Sequence, residues 1–129
     1  MADEARDDLA REQYEAGRLA LQANDLDTAI GHFEESLAQA PHFKTLELLG
    51  EAWLRKGEPG KAIVPLAAAT TLNSQVRAPS LLAEALLALG KSLEAYRIAQ
   101  LVLSRDSSNK KAHAVAEATK AAHQAWTEL

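Results

Sequence analysis

Few residues in this chain could do chemistry, and their spacing works against it. The four histidines, His32, His42, His113 and His123, form no i, i+4 pair and no HExxH-like pattern, so no helix offers two imidazoles to one metal ion. Cysteine is absent, which removes disulfides, thiolate–zinc sites and thiol nucleophiles. Glu34–Glu35 and Glu47/Glu51 are carboxylate pairs, but acid–base work needs two carboxyl groups in a cleft with separated pKa values. Glu51 instead has Arg55 four residues on, the spacing of a helix-surface ion pair. Asp106-Ser107-Ser108 has the residue types of a nucleophile site and the composition of an interhelix turn. No glycine-rich phosphate loop occurs. The sequence therefore predicts no enzyme, no metal and no cofactor, and leaves binding as the chemistry to be placed.

The elements that place it are helices. Of 129 residues, 27 are Ala and 20 are Leu, whereas seven are Ile or Val and six are aromatic. Ala and Leu lose little entropy in a helix, and strands draw on the residues that are scarce here. A net charge of −4 argues against a nucleic-acid partner, which needs a basic footprint. No run of about 18 apolar residues exists, so no membrane insertion is expected. The opening MADEARDD lacks the apolar segment of a signal peptide, which points to a cytoplasmic location.

The chain also repeats itself. Gly17-Arg18-Leu19-Ala20-Leu21, Gly50-Glu51-Ala52-Trp53-Leu54 and Ala83-Glu84-Ala85-Leu86-Leu87 start 33 residues apart. Each is followed at matched distances by an alanine (Ala29, Ala62, Ala95), then by Phe33, Leu66 and Ala99, then by Ser36, Ala69 and Val102. Between them lie breakers: Asn24-Asp25, Gly57-Glu58-Pro59 and Gly90-Lys91-Ser92. Asn24, Gly57 and Gly90 suit the left-handed residue that ends a helix, Asp25 suits a cap, and Pro59 a first helical position. Each unit reads as helix, turn, helix, and one such hairpin has too little core to stand without neighbours.

These residues resemble the tetratricopeptide repeat (TPR) family. The second unit carries the pattern most fully, in Leu46, Leu49-Gly50, Trp53, Ala62, Leu66 and Ala69. The first keeps Gly17, Ala29, Phe33 and Pro41, with Gln13 and Ala20 where large apolar residues are expected. The third keeps Leu82-Ala83, Leu86, Gly90 and Ala95, with Pro79 and Ala99 in large positions. The spacing is 33, where the family usually has 34. The resemblance implies an all-α, right-handed superhelix of three antiparallel hairpins and a capping helix, in one domain over 1–129, with repeats at about 10–42, 43–75 and 76–108 and the cap at about 109–129. Helices are expected at about 3–23, 26–40, 43–56, 59–73, 79–89, 92–105 and 109–128. Pro65 is expected to kink the fourth or delay its start. The small residues at Ala20 and Ala99 predict lightly packed first and third units around a better-packed second.

The resemblance further implies a concave groove, lined by the first helices of the hairpins, that holds a peptide or a segment of a partner protein. Its family positions fall on Arg11, Tyr14, Arg18, Leu21, Lys44, Glu47, Glu51, Leu54, Arg55, Arg77, Glu84 and Leu87. The second positions (Arg11, Lys44, Arg77, Lys110) are all basic. Lys44, Arg77 and Lys110 stand near helix N-termini, where a cation costs about 0.3–1 kcal/mol; a basic rim for partner carboxylates is one reading, and charge that complements the C-terminal carbonyls of the preceding helix or is simply solvated is the other. Chaperone-adaptor TPR domains grip a terminal carboxylate with Lys and Asn where this chain has Tyr14 and Arg18, and with Asn and a basic residue where it has Leu48 and Leu81. Only Arg77 agrees, so that mode is not expected. Val115, Thr119, Ala122, Trp126 and Leu129 form one stripe of the final helix. They would cover the third repeat or, through Trp126 and Leu129, join copies into a homo-oligomer. A structural scaffold of that kind and a secretion-type chaperone for an exported client are the alternative functions.

Overall fold

The computed structural model describes residues 2–128, apart from the side chain of Trp126; Leu129 and that side chain, the expected self-association contact, lie outside the described residues. Seven helices follow one another: α1 (Ala2–Gln22), α2 (Leu26–Gln39), α3 (Phe43–Arg55), α4 (Pro59–Leu72), α5 (Arg77–Ala88), α6 (Ser92–Arg105) and α7 (Lys110–Thr127). No strand occurs among the described residues.

The three hairpin turns are built alike. Asn24, Gly57 and Gly90 take positive φ of 58°, 82° and 76°. At each, the left-handed residue donates its N–H to the carbonyl three back, and the next residue donates to the carbonyl five back, as in Glu58 N to Trp53 O at 2.9 Å. This doubled turn satisfies the carbonyls that a helix end leaves open. Asp25 occupies the cap position of α2, but its side chain makes no cap bond. The return turns use other devices. His42 Nδ1 accepts from the Lys44 N–H (3.2 Å) and Asn109 Oδ1 from the Ala112 N–H (3.0 Å), capping α3 and α7.

Two prolines bear on where helices start. α5 begins at Arg77, two residues early, with Pro79 inside its first turn, where a missing N–H costs nothing because that donor has no intrahelical partner. α4 begins at Pro59 and runs through Pro65 without a late start. Pro65 is buried, so packing of its ring offsets the lost backbone bond.

Small residues set how closely the helices approach. A Cβ added at Gly17 would lie 2.6 Å from Phe33 Cε1, and one at Gly50 would collide with the Leu66 side chain. Phe33 and Leu66 are fully buried in these notches. The first core cluster joins Leu21, Ile30 and Phe33 to Leu48, Leu49 and Ala52 of α3. The next joins Leu66 to Leu81 and Leu82. The last holds Ala83, Ala95, Ala99, Val102, Ala112 and Val115. The first hairpin is thus filled by Phe33 over Gly17, with Ala20 packed against the same cluster, whereas the third crossing is built from alanines and valines with Leu86, Leu87 and Ile98 against them. Trp53 packs against both the first and the middle cluster. The Lys56 and Lys61 ammonium groups lie over its ring at 5.5 and 4.7 Å. Lys56 also reaches Asp27 of α2 (2.7 Å), and the hydrogen bond to that carboxylate holds the ammonium above the ordinary lysine pKa.

Contacts between helices fix the curvature. α1, α3, α5 and α7 touch in series, while α2, α4 and α6 make no contact with one another. The odd-numbered helices therefore line the inner, concave face and the even-numbered ones are splayed on the outer face.

Candidate functional site

The inner face carries a ladder of ion pairs. Glu47 of α3 is 1% exposed and accepts from Lys44 Nζ (2.7 Å) on its own helix and from Arg77 Nη1 (2.9 Å) at the start of α5. Glu51, one turn on, pairs with Arg55 (2.6 Å) and with the second Arg77 amino group. Arg55 Nη1 donates to the Leu21 carbonyl of α1 (3.3 Å). On the next rung, Lys111 of α7 pairs with Glu84 of α5 (3.2 Å). The links made by Arg77, by Arg55 to Leu21 and by Lys111 cross from one odd-numbered helix to the next, while Lys44–Glu47 and Glu51–Arg55 lie within α3. A buried carboxylate is costly unless charge-paired and hydrogen-bonded, and the Arg77 fork supplies two donors in one plane to two carboxylates. The same contacts offset the cost of placing Lys44 and Arg77 at helix N-termini.

The ladder frames a hollow of about 340 Å³, lined by Glu51, Leu54 and Arg55 of α3, Arg77, Leu81 and Glu84 of α5, and Lys111 of α7. Two leucines supply apolar wall, and the charged groups around them are held by one another rather than turned freely to solvent. A second hollow, about 460 Å³, lies between α1 and the α2–α3 turn. Arg11, Tyr14 and Lys44 line it together with Asp7, Ser36 and His42. Ser36, buried there, donates its hydroxyl to the Ala10 carbonyl (2.7 Å) and so ties α2 to α1.

The twelve groove positions read from the sequence are thus distributed. Glu51, Leu54, Arg55, Arg77 and Glu84 meet at the first hollow, and Arg11, Tyr14 and Lys44 at the second. Leu21 is buried in the first core cluster, and Leu87 packs against the last. Arg18 pairs with Glu15 (2.9 Å). Glu47 lies beneath Arg77 and Lys44. Leu81 and Lys111 were not among the twelve. The missed signal is a spacing: an acid followed 26 or 27 residues later by a base, as in Glu51–Arg77 and Glu84–Lys111. The corresponding pair between the first two hairpins, Arg18 and Lys44, has like charges, and the ladder stops there.

Among the described residues no group of three metal-ligating side chains occurs, and no helix is long and apolar enough to cross a membrane. The histidines serve structure. His32 donates to Gln13 Oε1 (2.7 Å), His113 bonds the Ser107 carbonyl (2.7 Å), and His123 stacks on Tyr96 with ring centroids 4.1 Å apart.

No protein-family model and no curated protein matches the sequence significantly. Solved structures do match the fold. The C-terminal TPR-containing domain of an FK506-binding protein of Plasmodium falciparum superposes with a TM-score of 0.87 at 17% identity, over 98% of this chain and 96% of that one. The first TPR domain of Spaghetti (RPAP3), bound to an HSP90 peptide, gives 0.85 at 22% identity, over 92% and 95%. The second TPR domain of human RPAP3, in complex with an HSP70 peptide, gives 0.79 at 19% identity, over 92% and 98%. The chain has the all-α TPR fold, three helical hairpins and a capping helix in a right-handed superhelix.

Proposed function

We propose that this protein is a non-catalytic interaction module that holds a segment of a partner protein on its concave face. The observation that carries this reading is the hollow framed by Arg55, Arg77, Glu84 and Lys111 over Leu54 and Leu81. It is concave, part apolar, and its polar groups are fixed before a ligand arrives, which lowers the ordering cost of binding. Two fold neighbours form complexes with peptides, which supports a binding role for a domain of this fold. The ligand chemistry differs from theirs. The residues here that correspond to a terminal-carboxylate grip are Tyr14, Arg18, Leu48 and Leu81, and Arg77 is already engaged by Glu47 and Glu51. The hollow suits an apolar side chain from within a segment, with an acidic neighbour to share the outer edges of Arg55 and Lys111.

Selection from a random peptide library, followed by calorimetry on the winners, tests this. Apolar–acidic peptides should emerge, and Leu54→Glu should weaken them by at least about tenfold, the equivalent of about 1.4 kcal/mol. Joint charge reversal of Arg11, Arg55 and Lys111, which leaves both partners of the buried Glu47 in place, should weaken them further. Selected peptides whose affinity ignores all four positions would remove the concave face from the function.

A further inference from the structure

The two ends of the stack are unlike, and each is uncovered. On α1, Ala2, Ala5, Leu9, Ala16 and Leu19 recur at three- and four-residue steps with Glu12 between them. This stripe lies away from α2 and α3: Ala10, Gly17 and Leu21 carry the buried side of the helix. Leu9 and Leu19 are 40% and 57% exposed. On α7, Ala112, Val115 and Thr119 face inward, while Ala114, Ala118, Ala121 and Ala125 form an exposed row at steps of four, three and four. α1 packs only on α2 and α3, and α7 only on α5 and α6. Among the described residues nothing covers either row.

Charge distinguishes the ends. Residues 1–41 hold ten acidic and three basic side chains, whereas the rest of the chain holds eight acidic and eleven basic. α1 itself carries six acidic and three basic residues, and Asp8, Glu12 and Glu15 border its apolar row. α7 carries Lys110, Lys111 and Lys120 against Glu117, with Lys111 shared with Glu84 of α5 and Glu128 directly beyond the helix end. Two α1 faces brought together would set acid against acid. An α1 face brought to an α7 face sets acid against base, and leucines against a row of small residues that admits close approach. The odd-numbered helices already touch in series along the inner face, and the α1 of another copy continues that series past α7.

We infer that α7 of one copy docks the outer face of α1 of the next, so that copies of this chain join head to tail along the superhelix. Such a heterologous contact leaves one open end of each kind and does not stop at a dimer.

Light scattering coupled to gel filtration tests it on the full chain. The weight-average mass should climb past that of a dimer between about 1 μM and about 1 mM, the range of transient contacts. It should fall when salt is raised from about 0.05 M to about 0.5 M, which shortens the screening length across the ~10 Å mark. Two surface variants give the decisive arm. Leu9→Glu with Leu19→Glu spoils the α1 face, and Ala118→Arg with Ala121→Arg spoils the α7 face. Each alone should remain monomeric with an unchanged circular dichroism spectrum. Mixed, they should form a one-to-one dimer and nothing larger, because each retains the end the other lacks. A strict monomer over the whole range, growth that stops at a dimer in the unmodified chain, or failure of the two variants to pair would each overturn the proposal.

Discussion

The first and third hairpins solve one packing problem in opposite ways. Where their two helices cross, the first places Gly17 against Phe33 and the third Ala83 against Ala99. The middle hairpin, with Gly50 against Leu66, follows the first. A notch filled by a large ring buries far more apolar surface than two methyl groups do, at about 25 cal/mol per Å². The difference teaches that one repeat position can be filled by a large side chain over a glycine or by two methyl groups, and that the stability each crossing contributes varies with the choice.

The comparison can be broken most forcefully at Phe33. Phe33→Ala empties the notch and should cost about 3–5 kcal/mol in urea unfolding. A cost near 1 kcal/mol would mean that the first cluster does not depend on the ring. The reverse experiment is to fill the third crossing. Ala99→Leu should overpack it against Ala83 and cost about 1–3 kcal/mol. Adding Ala83→Gly recreates the Gly50/Leu66 arrangement and should recover most of that loss. Strict additivity of the two changes would show that the crossings do not share a geometry. A smaller effect separates the rungs of the ladder. Arg77→Ala leaves the buried Glu47 with Lys44 alone and should cost about 1–2 kcal/mol, tempered by the exposure of the arginine itself. Lys111→Ala removes a partner of the half-exposed Glu84 and should stay within about 0.5 kcal/mol. Equal losses at the two positions would put the burial of Glu47 in doubt as the reason for the difference.

Much of this architecture is legible in local residue types. Asn24, Gly57 and Gly90 announce three left-handed helix ends because only such residues adopt that backbone cheaply. Helix bounds read from those breakers fall within one or two residues of the structure, since turn chemistry is local. The site is less legible. Glu47 reads as a surface carboxylate on α3, and its burial depends on Arg77 arriving from 30 residues away. Leu21 fits a groove position by count, yet the close approach of α3 closes over it. Pro79 reads as a helix start and instead sits within a first turn that Arg77 opens. For Glu47 and Leu21 the deciding neighbour belongs to another hairpin, and pairings between hairpins are fixed by packing rather than by adjacent residues.

The separation of α2, α4 and α6 from one another has a mechanical consequence. A curved beam whose inner edge is in contact and whose outer edge is segmented yields by opening or closing the gaps between segments. The inner helices act as its hinge line, and flexing about them works against the core clusters that join one hairpin to the next and against the buried Glu47–Arg77 pair. Any bending is therefore borne by the seams between hairpins, and what resists it is the apolar packing and the buried ion pair that cross them.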